Sequence, residues 1–365
     1  MSGCSRRAFL AAAAGACLGA ESSSAKGESF PSNARRYFDP ATEFPVVRVT
    51  SPEYGSAFIP SHNRDFLGRN SLLVASDRSG AEEVFRLDLK GGEMRQLTSA
   101  QSLDPASIAV LAGGRSFCFF DGASLREANA ATLRERELYR VPDGVERTGA
   151  LVTSPDRTRA YFAERAAGRY RLRSISFSRA PQARTVLESE DEITDIAPRP
   201  ERAELVYRAA GSVFLASLDG VRKIRLPLPA GWIGPMHWSP QGKSILYLHT
   251  PAEHEGLHVI REFAPESGED KLVAKTTQFI DFAPNADASV FVGASGSKAA
   301  PHVLILVRSV RRELTVCEHR ASNPALVHPH FSPDSQRIVF ASDRHGRPAI
   351  YEVAVERLVE ETESE

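Results

Sequence analysis

The sequence predicts an all-β fold: a seven-bladed β-propeller of four-stranded blades, closed by a strand from the N-terminal end. Three observations carry this. A turn motif recurs at the period of a propeller blade, short β-branched and aromatic runs frame each copy, and the first and last copies complement each other at their ends.

The clearest copy runs His330-Phe331-Ser332-Pro333-Asp334, then Arg337-Ile338-Val339-Phe340-Ala341-Ser342-Asp343-Arg344-His345-Gly346, then Ala349-Ile350-Tyr351-Glu352-Val353. Pro presets the turn dihedral and Asp accepts hydrogen bonds from the backbone just ahead, while Ile-Val-Phe suits a pleated strand. The turn recurs at Pro155, Pro198, Pro240, Pro284 and Pro333, 42 to 49 residues apart. Two copies lack the proline. Ser71-Leu72-Leu73-Val74-Ala75-Ser76-Asp77-Arg78-Ser79-Gly80 matches the last copy and puts Leu67 at the proline position, and Leu111-Ala112-Gly113-Gly114 supplies the other turn. The first copy finishes with an outermost strand, Met94 to Ser99, whereas the last stops near Val355 without one. Val46-Val47-Arg48-Val49-Thr50-Ser51 is the missing piece, and it is expected to clasp the ring shut and leave only short protected edges.

The remaining segments set the boundaries. Arg6-Arg7 precedes a short Ala-rich apolar run to Ala20, the pattern of a twin-arginine export signal and too short for a membrane span. We therefore divide the chain into a signal (1–20), a flexible polar leader (21–36), the propeller (37–356) and an acidic, solvated tail (357–365). A periplasmic or secreted location follows; lipidation at Cys17 and an uncleaved terminus are the competing readings. The mature chain keeps Cys118 and Cys317, far apart in the repeats and expected as buried thiols. A net charge of −1 gives no sign of a nucleic-acid or anionic-membrane partner, and the molecule is expected as a monomer or dimer.

In a propeller the innermost strand of each blade, just ahead of the turn, lines the central channel, and residues two apart share a face. Aligned on the turns, the channel pairs of blades two and three are apolar. The other five blades each offer Asp, His or Arg: Arg64 with His62, Asp195, His237, Asp281, and His328 with His330. These five blades are contiguous in a closed ring, so one side of the channel is expected to be polar. Converging titratable groups in a cavity are the default site, and paired imidazoles suit a divalent metal. Solvated lining residues are the bland reading of each.

The motif Ser-Pro-Asp-x-x-x-Ile-x-Phe-x-Ser-Asp-Arg-x-Gly at 332–346 resembles the general TolB-type propeller repeat. Val327-His328-Pro329-His330-Phe331-Ser332-Pro333-Asp334, Met236-His237-Trp238-Ser239-Pro240 and Ser76-Asp77-Arg78-Ser79-Gly80 extend the likeness to the oligogalacturonate lyases. That resemblance implies β-elimination on a uronate oligosaccharide, assisted by a divalent metal, manganese above all, held by three His and a Gln, with a further His as base. It carries over His328 and His330 as metal ligands. The third His falls on Phe279 and the Gln on Ala325, so Asp281 is the expected substitute ligand. The base resembles His249, with His254 and His258 as neighbouring alternatives, His237 positioning substrate and Arg64 contacting its carboxylate. A non-catalytic propeller that binds a peptide, glycan or protein at its channel is the alternative, favoured by Phe279 and Ala325. Another enzyme on the same scaffold is a third reading. No phosphate-binding loop, zinc-protease helix or Cys-rich zinc pattern competes.

Overall fold

The computed structural model describes residues 25–60, 65–254, 256–276 and 278–362. The signal segment, His62 and Arg64 lie outside the described residues.

The chain folds into seven antiparallel sheets arranged as the blades of a propeller. Blade one starts with two inner pieces, Ser56–Phe58 and Phe66–Gly68, both paired to Ser71–Ser76, followed by Glu83–Asp88 and Met94–Gln96. Blades two to six are four-stranded meanders, with inner strands Leu103–Val110, Glu146–Thr153, Thr194–Pro198, Gly231–Trp238 and Phe279–Pro284. Blade seven takes His330–Phe331, Arg337–Ser342 and Ala349–Ala354 from the C-terminal end and Pro45–Arg48 from the N-terminal end, where Val46 faces Val353. The N-terminal strand thus closes the ring, as the sequence predicts.

Two boundaries differ from the sequence reading. Within the leader, Ser29–Phe30 pairs with the edge of blade one, and Arg35–Phe38 adds a fifth strand to blade seven. Backbone edges that would otherwise be bare take these extra strands. In the tail, Val359 is buried and Thr362 donates to the Asp334 carbonyl, so this segment packs under the last turn up to residue 362.

The core is divided by the same geometry. Each of seven apolar clusters lies between two neighbouring blades, because alternate residues of the middle strands face opposite sides. In Arg337–Ser342, Ile338 and Phe340 pack towards blade six, while Val339 and Ala341 pack towards blade one. The middle strands are therefore apolar on both faces, which is why they read as runs such as Leu72-Leu73-Val74. Cys118 and Cys317 are free, buried thiols in blades two and six.

The repeated turn is held by its own side chains. Ser332 Oγ donates to Asp334 Oδ1 (2.5 Å) and Gln336 N donates to the same oxygen (3.2 Å). Ser154 and Asp156 repeat the arrangement in blade three, with Thr158 as the second donor. In blade five, Gly242 (φ 64°) brings its turn against Pro200 of blade four, where a Cβ would fall 2.4 Å from the carbonyl oxygen. Its own carbonyl accepts from buried Arg199 (2.7 Å).

Val46, on the closing strand, is fully buried against blade six. Val46→Asp would place an unpaired charge there. It is expected to lower the melting temperature by about 5 °C, roughly 3 kcal/mol at one to two degrees per kcal/mol for a ring of this size. An unchanged melting curve would contradict closure by this strand.

Candidate active site

In each blade the start of the innermost strand and the end of the second strand open onto the same face of the ring. Polar side chains line the inner strands from this rim, where Arg208 ends its strand opposite Thr194, down towards the turns, where His237 pairs opposite Leu246, and they bridge blades. Arg208, at the end of the second strand of blade four, donates from Nε to Asp195 Oδ2 (2.6 Å) and from Nη2 to the Gly234 carbonyl of blade five (3.2 Å). His237 Nε2 donates to the Phe282 carbonyl of blade six (2.8 Å). Asp281 of blade six meets His328 Nδ1 of blade seven (2.9 Å), and His330 Nε2 meets Asp65 Oδ2 of blade one (2.7 Å). The contacts run without a break from blade four to blade one. Across the channel, Arg147 of blade three forms an ion pair with Asp104 of blade two and lies over the Phe120 ring.

The inner strands are irregular, and the simple alternation fails at the residues that matter. A register shift separates Phe279 from Asp281. Phe279 is fully buried and packs on Gly293, where a Cβ would lie 2.5 Å from its ring, whereas Asp281 turns to the rim. The two therefore do not share a face. His328 has a left-handed backbone (φ 44°), as does Asp195 (φ 47°), so His328 and His330 diverge, one towards blade six and the other towards blade one. A non-glycine residue held at positive φ stores strain that surrounding contacts must offset. Here the His328 carbonyl accepts from His330 Nδ1 (2.9 Å).

The hydrogen bonds set the surroundings of each imidazole. Both partners of His330 are acceptors, a carbonyl and a carboxylate, so both ring nitrogens carry protons. Burial alone would lower its pKa, but Asp65, through its charge and its hydrogen bond, outweighs burial and holds His330 above the usual histidine range. His237, half-buried and edge-on to Phe282, is pushed below that range chiefly by burial, against Asp281 and the Phe282 carbonyl. His249 is 2% exposed; its Nε2 donates to the Ala230 carbonyl (3.0 Å), and among the described residues its Nδ1 has no hydrogen-bond partner. His328 is the exposed member, with 47% of its side chain accessible. Its Nδ1 is engaged by Asp281, and among the described residues its Nε2 has no hydrogen-bond partner.

These states bear on the expected metal site. A metal ligand must present a lone pair, and His330, donating from both nitrogens, has none. Phe279 sits in the core, and Ala325 lies in a single 3-10 turn, Pro324–Leu326. Among the described residues no three His, Cys, Asp or Glu side chains are grouped to hold a metal. The set His328, His330 and Asp281 does not fit a divalent cation: it forms two separate histidine–carboxylate pairs. The buried ring of His249 likewise does not reach the channel surface in this arrangement.

Sequence reasoning missed Asp65, Arg208 and Trp232. Asp65 is one position from the register that selected Arg64. Arg208 and Trp232 lie at strand ends, away from the aligned turn positions.

The fold and the rim define a seven-bladed propeller with a histidine–carboxylate channel site. No family model matches the chain. Among curated proteins it is 22% identical to the oligogalacturonide lyase of Pectobacterium atrosepticum over 90% of this chain and 97% of that protein. It is equally 22% identical, with the same coverage, to the oligogalacturonate lyase of Dickeya dadantii. Among solved structures, an oligogalacturonate lyase in complex with manganese superposes with a TM-score of 0.84 at 20% identity, covering 91% of this chain and 98% of that one. The oligogalacturonate lyase of Vibrio parahaemolyticus gives 0.83 at 20% identity, over 91% and 99%. The chain thus shares the seven-bladed fold of these oligogalacturonate lyases and is similar to them in sequence over nearly its whole length.

The two histidine shifts have opposite consequences. The raised pKa of His330 stabilises the fold fully below about pH 6.5, the unfolded-state value, and this contribution is lost as pH rises through the raised folded value. The lowered pKa of His237 contributes fully above about pH 6.5 and is lost as pH falls through its folded value. Denaturant titrations of wild type and His330→Gln from pH 5 to 9 are expected to converge on the alkaline side of roughly pH 6.5, because the variant lacks the alkaline loss. Parallel curves would contradict an imidazolium at His330.

Proposed function

We propose that this propeller is a lyase that cleaves oligogalacturonides or related uronate oligomers by β-elimination at the rim of its channel. The supporting observation is His328, an exposed imidazole oriented by Asp281 on the rim of an oligogalacturonate lyase-like fold.

The C5 proton of a uronate is acidic because the adjacent carboxylate can take up the charge that its removal leaves. His328 Nε2 accepts that proton. The electron pair forms the C4–C5 double bond, the C4–O bond breaks, and the departing oxygen takes a proton from water or from the histidine. Asp281 holds the ring in the tautomer that presents Nε2 and steadies the imidazolium as it forms, as a carboxylate does for a general-base histidine. His330, kept protonated beside it, adds a fixed positive ring to a rim that must receive a polyanion. The sequence points instead to His249 as base and to a divalent metal, manganese above all, on the carboxylate. The burial of His249 and the two histidine–carboxylate pairs favour His328 and a metal-free site. His237 keeps a positioning role through the Phe282 carbonyl.

The absence of ligating side chains at Phe279 and Ala325 also favours a second reading, a propeller that binds uronate oligomers without cleaving them. Among the described residues no helix is long and apolar enough to cross a membrane. We assign the chain to the periplasm or the medium by way of Arg6-Arg7, a signal whose Lys-Lys variant is expected to leave the protein in the cytoplasm on cell fractionation.

The activity test is the ultraviolet absorbance of unsaturated product formed from trigalacturonate. Wild type is expected to form product, and His328→Ala to lose about 100- to 10,000-fold in kcat with an unchanged melting curve. Asp281→Asn is expected to lose less. Binding of trigalacturonate without product would establish the second reading. Full turnover in His328→Ala would remove His328 from the reaction.

A further inference from the structure

The rim between blades four and five carries a second group of side chains that the elimination does not use. Trp232, second residue of the inner strand Gly231–Trp238, is 49% exposed, unusual for a large aromatic side chain in an otherwise packed ring. It is held in place, not loosely splayed. Its indole lies over Gly234, where a Cβ would fall 2.4 Å from the ring, and it meets His258 edge-on at 6.4 Å between centroids. His258 is itself tied to Thr250 Oγ1 through Nδ1 (2.9 Å). The same Gly234 offers its carbonyl to Arg208 Nη2 (3.2 Å), and Asp195 Oδ2 fixes Arg208 Nε (2.6 Å). One glycine therefore brings a flat apolar face and an oriented guanidinium side by side. Arg208 is 21% exposed, and among the described residues its Nη1 donates to no partner.

An exposed aromatic face beside a guanidinium with unused donors matches one chemistry well. The C–H face of a pyranose ring packs on an indole, and a carboxylate takes charge-assisted hydrogen bonds from a guanidinium. A neutral sugar would use the first feature only, and a small inorganic anion the second only. We infer that Trp232 and Arg208, set by Gly234 and Asp195, form a uronate subsite. It would hold a sugar of the oligomer other than the one that loses its proton, since His328 and Asp281 belong to blades six and seven. Asp195 acts as a positioning residue: its left-handed backbone (φ 47°) turns its carboxylate to Arg208 and leaves Nη1 for the ligand.

This inference rests on the reading of the protein as uronate-binding, and the test separates the two. Titration calorimetry is carried out in the His328→Ala background, so that trigalacturonate stays intact. Saturable binding is expected, weakened about 10- to 100-fold by Arg208→Gln, in line with the loss of a charged hydrogen bond. Trp232→Ala is expected to weaken it by at least tenfold. Gly234→Ala, which adds only a methyl group under the indole and strains no left-handed backbone, is expected to weaken binding with an unchanged melting curve. In the same His328→Ala background, the galactose trimer, lacking carboxylates, is expected to bind at least tenfold more weakly than trigalacturonate, and that difference is expected to shrink when Arg208→Gln is added. Undiminished affinity in Trp232→Ala and Arg208→Gln would overturn the subsite while leaving the uronate-binding reading standing. Equal binding of the neutral trimer would overturn the role of Arg208, and no binding of either sugar would overturn both readings.

Discussion

Every sheet in this molecule is buried on both faces against its neighbours, and the ring holds only if all seven seams are filled. Six seams join blades made from consecutive segments of chain. The seventh depends on Pro45–Arg48 pairing with Ala349–Ala354, so residues some three hundred positions apart share one sheet. Apolar burial of this kind is the main favourable term in folding, and the few polar side chains buried in the middle strands, such as Glu83 and Glu164, are paired. The polar side chains are displaced to the innermost strands and to the strand ends that face the channel.

At that rim the polar groups do structural work before they do any chemistry. Arg208, His237, His328 and His330 each reach across a seam to an acceptor on the next blade. Buried or half-buried polar atoms must find partners, and a closed ring supplies them from the neighbouring blade. The consequence for function is specific. A histidine that donates from both nitrogens is a cation and cannot ligate a metal; a histidine that donates from one, with its other nitrogen exposed, is a base. His330 and His328 differ in this way although only Pro329 separates them, because His328 takes the left-handed conformation and turns its ring to blade six.

The architecture was legible in the sequence because its determinants are local and repeated. The Ser-Pro-Asp turns, the apolar middle strands and the unmatched ends of the first and last copies each follow from hydrogen bonding within a turn or from two-sided burial. The site was legible only as a sector. Alternation along a strand places His328 with His330 and Phe279 with Asp281, and both pairings fail where backbone irregularities intervene. A register shift and a positive φ at His328 leave no mark in the residue types. Asp65, Arg208 and Trp232 were missed because their partners come from other blades, which no local pattern encodes. The extra strands at 29–38 and the packed segment at 355–362 look polar in sequence, yet the edge and turn they cover fix their place.

In the proposed reaction the rim acts as two histidine–carboxylate pairs and not as a metal shell. The most direct measurement is turnover of trigalacturonate by purified, chelator-treated protein, with metal content determined on the same sample before and after incubation with manganese. Substoichiometric metal in both states and undiminished product formation in chelator are expected. Stoichiometric manganese that is lost in His328→Ala/His330→Ala, with turnover that requires it, would contradict the metal-free reaction.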